Sequence, residues 1–183
     1  MDKIKFATVW LAGCSGCHMS FLDLDEFLID LAGLVDVVFS PVGCDLKDYP
    51  EGVDVCLVEG AIANEENLEL AMEIRRKTKT LISFGDCAVT ANVPAMRNML
   101  GGGAHPVLDR AYLELADENP HLPNAPGIVP ELLDRVLPVH EVIPIDIFMP
   151  GCPPSADRIR ATLEPLLQGK TPEMVGREMI KFG

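Results

Sequence analysis

Five short runs in this chain are rich in apolar residues at both odd and even positions: residues 4–11, 35–39, 53–58, 79–84 and 145–149. A strand with one face in water alternates apolar and polar residues. A strand apolar at both parities must be covered on both sides, which is the condition of a parallel sheet sandwiched between helices. Helical periodicity fills the gaps as that arrangement requires. Phe21, Leu24, Leu28 and Leu31 share one face of a helix expected over 18–33, and Asn64 is placed to cap a second helix running to about residue 77. A closing helix is expected over 155–167. The pattern predicts one α/β domain over residues 1–183, an open flavodoxin-like parallel sheet of about five strands with helices on both faces.

The rhythm breaks between about residues 91 and 144. Gly101, Gly102 and Gly103 lie in this stretch, with prolines at 94, 106, 120, 123, 126, 130, 138 and 144. It reads as a Pro/Gly-rich insertion before the last strand, with short helices near 108–116 and 129–136. Long excursions from a compact domain are usually functional or interfacial, so this one is expected to face a partner.

Charge and composition remove several classes of function. The 183 residues carry a net charge of −13, the wrong sign for nucleic acid or an anionic lipid surface. No run approaches the roughly 18 apolar residues of a membrane span, so no membrane insertion is expected. The chain enters its first strand almost at once, without a basic leader, so a cytoplasmic location is expected. In that reducing setting, cysteines are more often metal ligands or reactive thiols than disulfides.

Four of the six cysteines sit in Gly-rich loops directly after apolar runs. Cys14 and Cys17 form a close pair in Gly13-Cys14-Ser15-Gly16-Cys17. Cys87 follows Gly85-Asp86, and Cys152 follows Pro150-Gly151. In an open parallel sheet, loops leaving the carboxyl ends of strands converge on one edge, so these four thiols are expected to meet there. Thiolates are soft ligands that suit zinc or an iron–sulfur cluster. Structural zinc usually draws on two close pairs, whereas here two of the ligands come singly from distant loops. That favours one 4Fe-4S cluster, with a zinc-stabilised interaction module as the alternative. Gly13, Gly16, Gly85 and Gly151 would let backbone approach the cluster. Cys56 lies inside the 53–58 run and reads as a core residue. Cys44, in a loop on the same edge, is a weaker candidate for a redox or ligand role.

With these motifs in hand, a resemblance can be stated. The stretch from Thr8 through Gly13-Cys14-Ser15-Gly16-Cys17-His18-Met19 to Asp23 closely resembles the small subunit of NAD-reducing, bidirectional NiFe hydrogenases. Phe84-Gly85-Asp86-Cys87-Ala88, Pro150-Gly151-Cys152-Pro153-Pro154 and the Val58-Glu59-Gly60 turn resemble further motifs of that family. The resemblance covers essentially the whole chain. It implies a proximal 4Fe-4S cluster on Cys14, Cys17, Cys87 and Cys152. It also implies a NiFe centre on a separate large subunit, and a diaphorase module with further clusters, FMN and the NAD site. Electrons would pass in either direction between dihydrogen and NAD, with no catalytic residue on this chain itself. Soluble hydrogenases linked to NADP, sulfur or a deazaflavin are similar, as is the cluster subunit of complex I, although that subunit begins its site with adjacent cysteines.

Glu59 and Gly60 fall at the end of the third strand, where the carboxylate would relay protons, pair with a partner or stabilise the turn. His18, at a helix start, is placed to donate to a cluster sulfur or to sit on the surface. The acidic run over 22–26 reads as a solvated helix face. No P-loop or dinucleotide-binding glycine motif is present. A flavodoxin-like FMN site would fall on the loop that Gly13–Cys17 already occupies.

Overall fold

The computed structural model describes residues 3–183. Strands β1 (Ile4–Trp10), β2 (Val35–Phe39), β3 (Val53–Glu59), β5 (Thr78–Phe84) and β7 (Ile147–Met149) form one sheet in the order β2-β1-β3-β5-β7. All four pairings are parallel. Counting only these strands, the order is 2-1-3-4-5, the flavodoxin-like order the periodicity predicts. The chain moves from β1 outward to β2 and then crosses to β3 on the other side of β1. The order therefore reverses between β1 and β3, where such sheets open a crevice beyond the strand ends.

Each face of the sheet has its own aliphatic layer. Phe6, Leu57, Ile82, Phe84 and Met149 pack against Leu24, Phe27, Leu31, Ile159 and Leu163 on one side. Ala7, Val9, Cys56, Val58 and Leu81 pack against Ala71, Ile74, Val139 and Ile143 on the other. Cys56 is fully buried, and burial pushes its thiol up to about 12. It stays a neutral core residue, as its place in the strand implies.

Three local expectations are corrected. The helix expected over 18–33 is two helices, α1 (Gly16–Leu22) and α2 (Phe27–Leu34), joined by a turn in which Asp25 takes φ 48°. Aspartates compete for backbone hydrogen bonds and favour turns over helix interiors, and the turn still buries Leu24 in the core. The helix expected near 129–136 is instead strand β6 (Leu132–Leu137), antiparallel to β4 (Ile62–Asn64) in a second, two-stranded sheet. Its spacing of apolar residues suits either state, and the tertiary partner decides. Arg97 fastens that small sheet by donating to the carbonyls of Ala63, Leu133 and Asp134, while Asn98 exchanges two 2.8 Å bonds with the Val136 backbone. The last sheet strand is also shorter than residues 145–149, because Asp146 turns its carboxylate onto the Leu81 amide and Arg75.

Helix α3 (Glu65–Lys77) falls where expected, capped by Asn64 through a 2.8 Å bond from the Asn67 amide, and a helix the periodicity does not predict, α4 (Asp86–Thr90), follows β5. Beyond α4, Val93–Met99 is a 3-10 helix, followed by α5 (His105–Asp109), which runs into a π-helical turn over Arg110–Glu114. Helix α6 (Ala156–Leu167) is capped by Ser155, and a short α7 (Arg177–Ile180) follows it.

Candidate metal centre

The tips of β1 and β3 are stitched together past the sheet. Leu11 N donates to Glu59 O at 2.8 Å, and Ala12 and Ala61 exchange bonds of 3.0 and 2.8 Å. The approach is so close that a Cβ on Gly60 would lie 2.8 Å from the Leu11 carbonyl carbon, and Gly60 itself takes φ 93°. No other residue fits both conditions. This stitch fixes where Glu59 projects. Its side chain is 2% exposed and accepts from the Cys17 amide at 3.4 Å and the His18 amide at 2.9 Å, the free N–H groups of the first turn of α1. The His18 ring Nδ1 hydrogen-bonds the same carboxylate. Glu59 thus serves as a capping group delivered from another strand, since Ser15, left-handed at φ 65°, makes no side-chain cap. The other ring nitrogen, His18 Nε2, is buried and has no hydrogen-bond partner among the described residues.

Helix α4 starts at the tip of β5, where Gly85 takes φ 85° and ψ 166°. The Cys17 thiol fills the space beside it, and a Cβ on Gly85 would fall 2.2 Å from Cys17 Sγ. This contact joins the first cysteine loop to the second. Asp86 joins the second to the third. It is 5% exposed; its amide donates to Gly151 O at 2.9 Å, and its carboxylate accepts from Gly151 N at 2.6 Å and Gly183 N at 2.9 Å. Arg158, 8% exposed, holds the far side of the Cys152 loop. Its guanidinium donates to the carbonyls of Pro150, Glu178 and Lys181, tying the chain after α7 to the same edge.

The loops that carry the four thiols leave the same edge of the sheet, after β1, β5 and β7. Cys17 is held far above the ordinary thiol range, first by burial and then by the charges of Glu59, Cys87, Cys14 and Cys152. Cys87 is pushed up to about 11 by burial and by Cys152 and Cys14, while a hydrogen bond from the Val93 backbone pulls the other way. Cys14 and Cys152 are exposed, Cys87 half-buried and Cys17 buried. Cys44 is held elsewhere: its sulfur accepts from the Ser40 amide at 3.0 Å, and it is not among the groups acting on Cys17 or Cys87. Among the described residues, no three His, Cys, Asp or Glu side chains are grouped as a single metal ion would need. The spacing pattern did not single out Asn92, whose Nδ2 lies 3.7 Å from Cys152 Sγ, or Arg158, which sequence places only as one helical arginine among several.

Fold and edge together define a flavodoxin-like α/β protein whose strand-end loops carry four thiols along one edge of the sheet. The family described as NADH ubiquinone oxidoreductase, 20 Kd subunit, matches residues 14–166. The delta subunit of the NAD-reducing hydrogenase HoxS from Cupriavidus necator is 41% identical over 174 residues, covering 92% of this chain and 80% of that subunit. A subunit of the F420-non-reducing hydrogenase from Methanothermobacter marburgensis is 42% identical over 180 residues; it covers 94% of this chain, which spans only 56% of that relative's length. A crystal structure of an NAD+-reducing [NiFe]-hydrogenase in the H2-reduced state superposes with a TM-score of 0.92 at 36% identity, with all of both chains covered. The [NiFeSe] hydrogenase of Desulfovibrio vulgaris Hildenborough shares the fold at a TM-score of 0.58 and 15% identity. The chain belongs to the NADH ubiquinone oxidoreductase 20 Kd subunit family, and within it to the hydrogenase small subunits that HoxS delta represents. Among the described residues, no helix is long and apolar enough to cross a membrane.

Proposed function

We propose that this chain is the electron-transfer small subunit of an NAD-reducing NiFe hydrogenase, with one 4Fe-4S cluster held by Cys14, Cys17, Cys87 and Cys152. The observation that carries the reading is the arrangement of the thiols. The Cys17 thiol packs against Gly85, two residues before Cys87, and Asp86 ties that loop to Gly151, the neighbour of Cys152. Two of the four thiols come singly from distant loops; structural zinc usually draws on two close pairs, whereas a cluster takes one thiolate per iron and tolerates separate loops. The donor chemistry fits as well, because thiolates that raise one another need a cationic core before all four can ionise together. When bound, the cluster supplies one-electron transfer in either direction between a NiFe centre on a large subunit and a diaphorase module carrying FMN and the NAD site.

The chain's own residues prepare that site. Glu59 holds the first turn of α1, and so Cys17, at a set distance from β3. Gly85 leaves room for the Cys17 thiol, and Asp86 fixes the Cys87 and Cys152 loops to each other. A relative from Archaeoglobus profundus, an iron-sulfur subunit of an F420-non-reducing hydrogenase, is 32% identical over 186 residues, which supports the cofactor class. Identity alone also allows an electron acceptor other than NAD, since the F420-non-reducing subunits match as well as HoxS delta does. Superposition over the full length of an NAD+-reducing enzyme's chain favours NAD.

The test compares the complex carrying wild-type chain with the complex carrying Cys87→Ser, purified anaerobically. The expected result is a deficit of about four irons per complex in the variant, loss of one reduced-state EPR signal, and loss of dihydrogen-dependent NAD reduction. Zinc at one per chain, or full activity in the variant, overturns the reading.

A further inference from the structure

The chain leaves α4 by an unusual route. Ala91 takes φ 62° and Asn92 φ 22°, ψ −121°, two consecutive non-glycine residues in the left-handed half of backbone space. Such conformations are unfavourable for residues with a side chain and persist where the surroundings impose them. Here they place the Asn92 side chain beside the third cysteine loop. Asn92 Nδ2 lies 3.7 Å from Cys152 Sγ, within hydrogen-bond reach of a large sulfur. One strained turn after α4 therefore aims a side-chain donor at a thiol that comes from a loop 60 residues away.

We propose that Asn92 is a potential-setting residue, its side-chain amide donating to the Cys152 thiolate and stabilising the reduced form of the cluster. The inference rests on the reading of the four thiols as cluster ligands. An added electron increases the negative charge on the ligand sulfurs, so an N–H dipole directed at one of them stabilises the reduced state more than the oxidised state. Hydrogen bonds to ligand sulfurs are among the recognised controls of cluster potential. Asn92 is the side chain in this segment placed to supply one.

The substitution Asn92→Gly separates a donor role from a turn role, because glycine accepts the positive φ while removing the amide. Asn92→Asp keeps the size and replaces the N–H donor by a carboxylate oxygen. Both variants are assembled into the full complex, and the midpoint potential of this cluster is read by EPR-monitored redox titration, with iron content measured alongside. The expected result is full iron content and a reduction equilibrium about tenfold less favourable in Asn92→Gly, which is about 59 mV lower for a one-electron couple, with Asn92→Asp lower still. A wild-type potential in Asn92→Gly overturns the proposal. Should the glycine variant lose iron, a wild-type potential in Asn92→Asp overturns it equally. Absence of any cluster signal from the wild-type chain would refute the ligand assignment itself, which is a separate failure.

Discussion

Replacing Gly85 by alanine tests the joint between the two cysteine loops. The new Cβ would lie 2.2 Å from Cys17 Sγ and 3.4 Å from Gly151 O. The backbone at φ 85°, ψ 166° belongs to a region essentially reserved for glycine, and holding another residue there costs about 1–3 kcal/mol. Forcing a methyl into a packed site adds about 1–3 kcal/mol, so the loss of stability is roughly 2–6 kcal/mol. For a chain of this length each kcal/mol moves the melting temperature by roughly 2–4 °C, so a fall of about 4–24 °C is expected. Relief is available only by moving the Cys17 sulfur, so iron should be lost before the fold is. The assay pairs visible absorbance and iron analysis with a circular-dichroism melt, and Gly101→Ala serves as control because its Cβ meets nothing within 4 Å. Full iron content with melting unchanged from wild type would refute the proposed contact.

Four further outcomes follow from other parts of the fold. Gly33→Ala, inside α2 with open space around the new Cβ, should stabilise by roughly 0.5–1 kcal/mol in urea melts, since alanine is the better helix former. Asn64→Ala removes the cap that accepts the Asn67 amide and should cost about 1 kcal/mol by the same measurement. Asp86→Ala strips two hydrogen bonds from a buried carboxylate and leaves the Gly151 amide unpaired, so roughly 2–4 kcal/mol should be lost, and hydrogen exchange should speed up at residues 151 and 183. The Lys79 ammonium, with help from the Lys5 amide, holds the Asp54 carboxyl below its ordinary range. A depressed folded value means that the stabilisation is present above about pH 3.9 and is lost as pH falls through the lower folded value. In acid titrations of stability, Asp54→Asn should therefore flatten that part of the profile.

How much of this was legible in the sequence differs by element. Strands covered on both faces announce themselves, because the central positions of both parities are buried and favour apolar residues; β1, β3 and β5 stand where the apolar runs place them. The cysteine edge was legible for a related reason. Parallel topology sends every strand-end loop to one side, so the four loop cysteines share that edge. The break between α1 and α2 and the strand state of β6 were not legible. Asp23 and Asp25 could sit on a solvated helix face as readily as in a turn, and the pairs Leu132-Leu133 and Val136-Leu137 fit either period. Only packing against Leu24's pocket, and against β4, chose between the two.

The same division runs through the site. Sequence by itself determined the thiols, their soft chemistry and their common edge, because those depend on residue identity and on strands that all run the same way. It did not determine the contacts that give the edge its geometry. Glu59 capping α1, Gly85 yielding space to Cys17, Asp86 and Arg158 binding the Cys152 loop, and Asn92 reaching Cys152 all join residues far apart in the chain or close through a strained turn. No local pattern encodes such pairs. They arise when hydrophobic burial on the two faces of the sheet has set the loops in place, and the buried polar groups must then find partners or pay for desolvation.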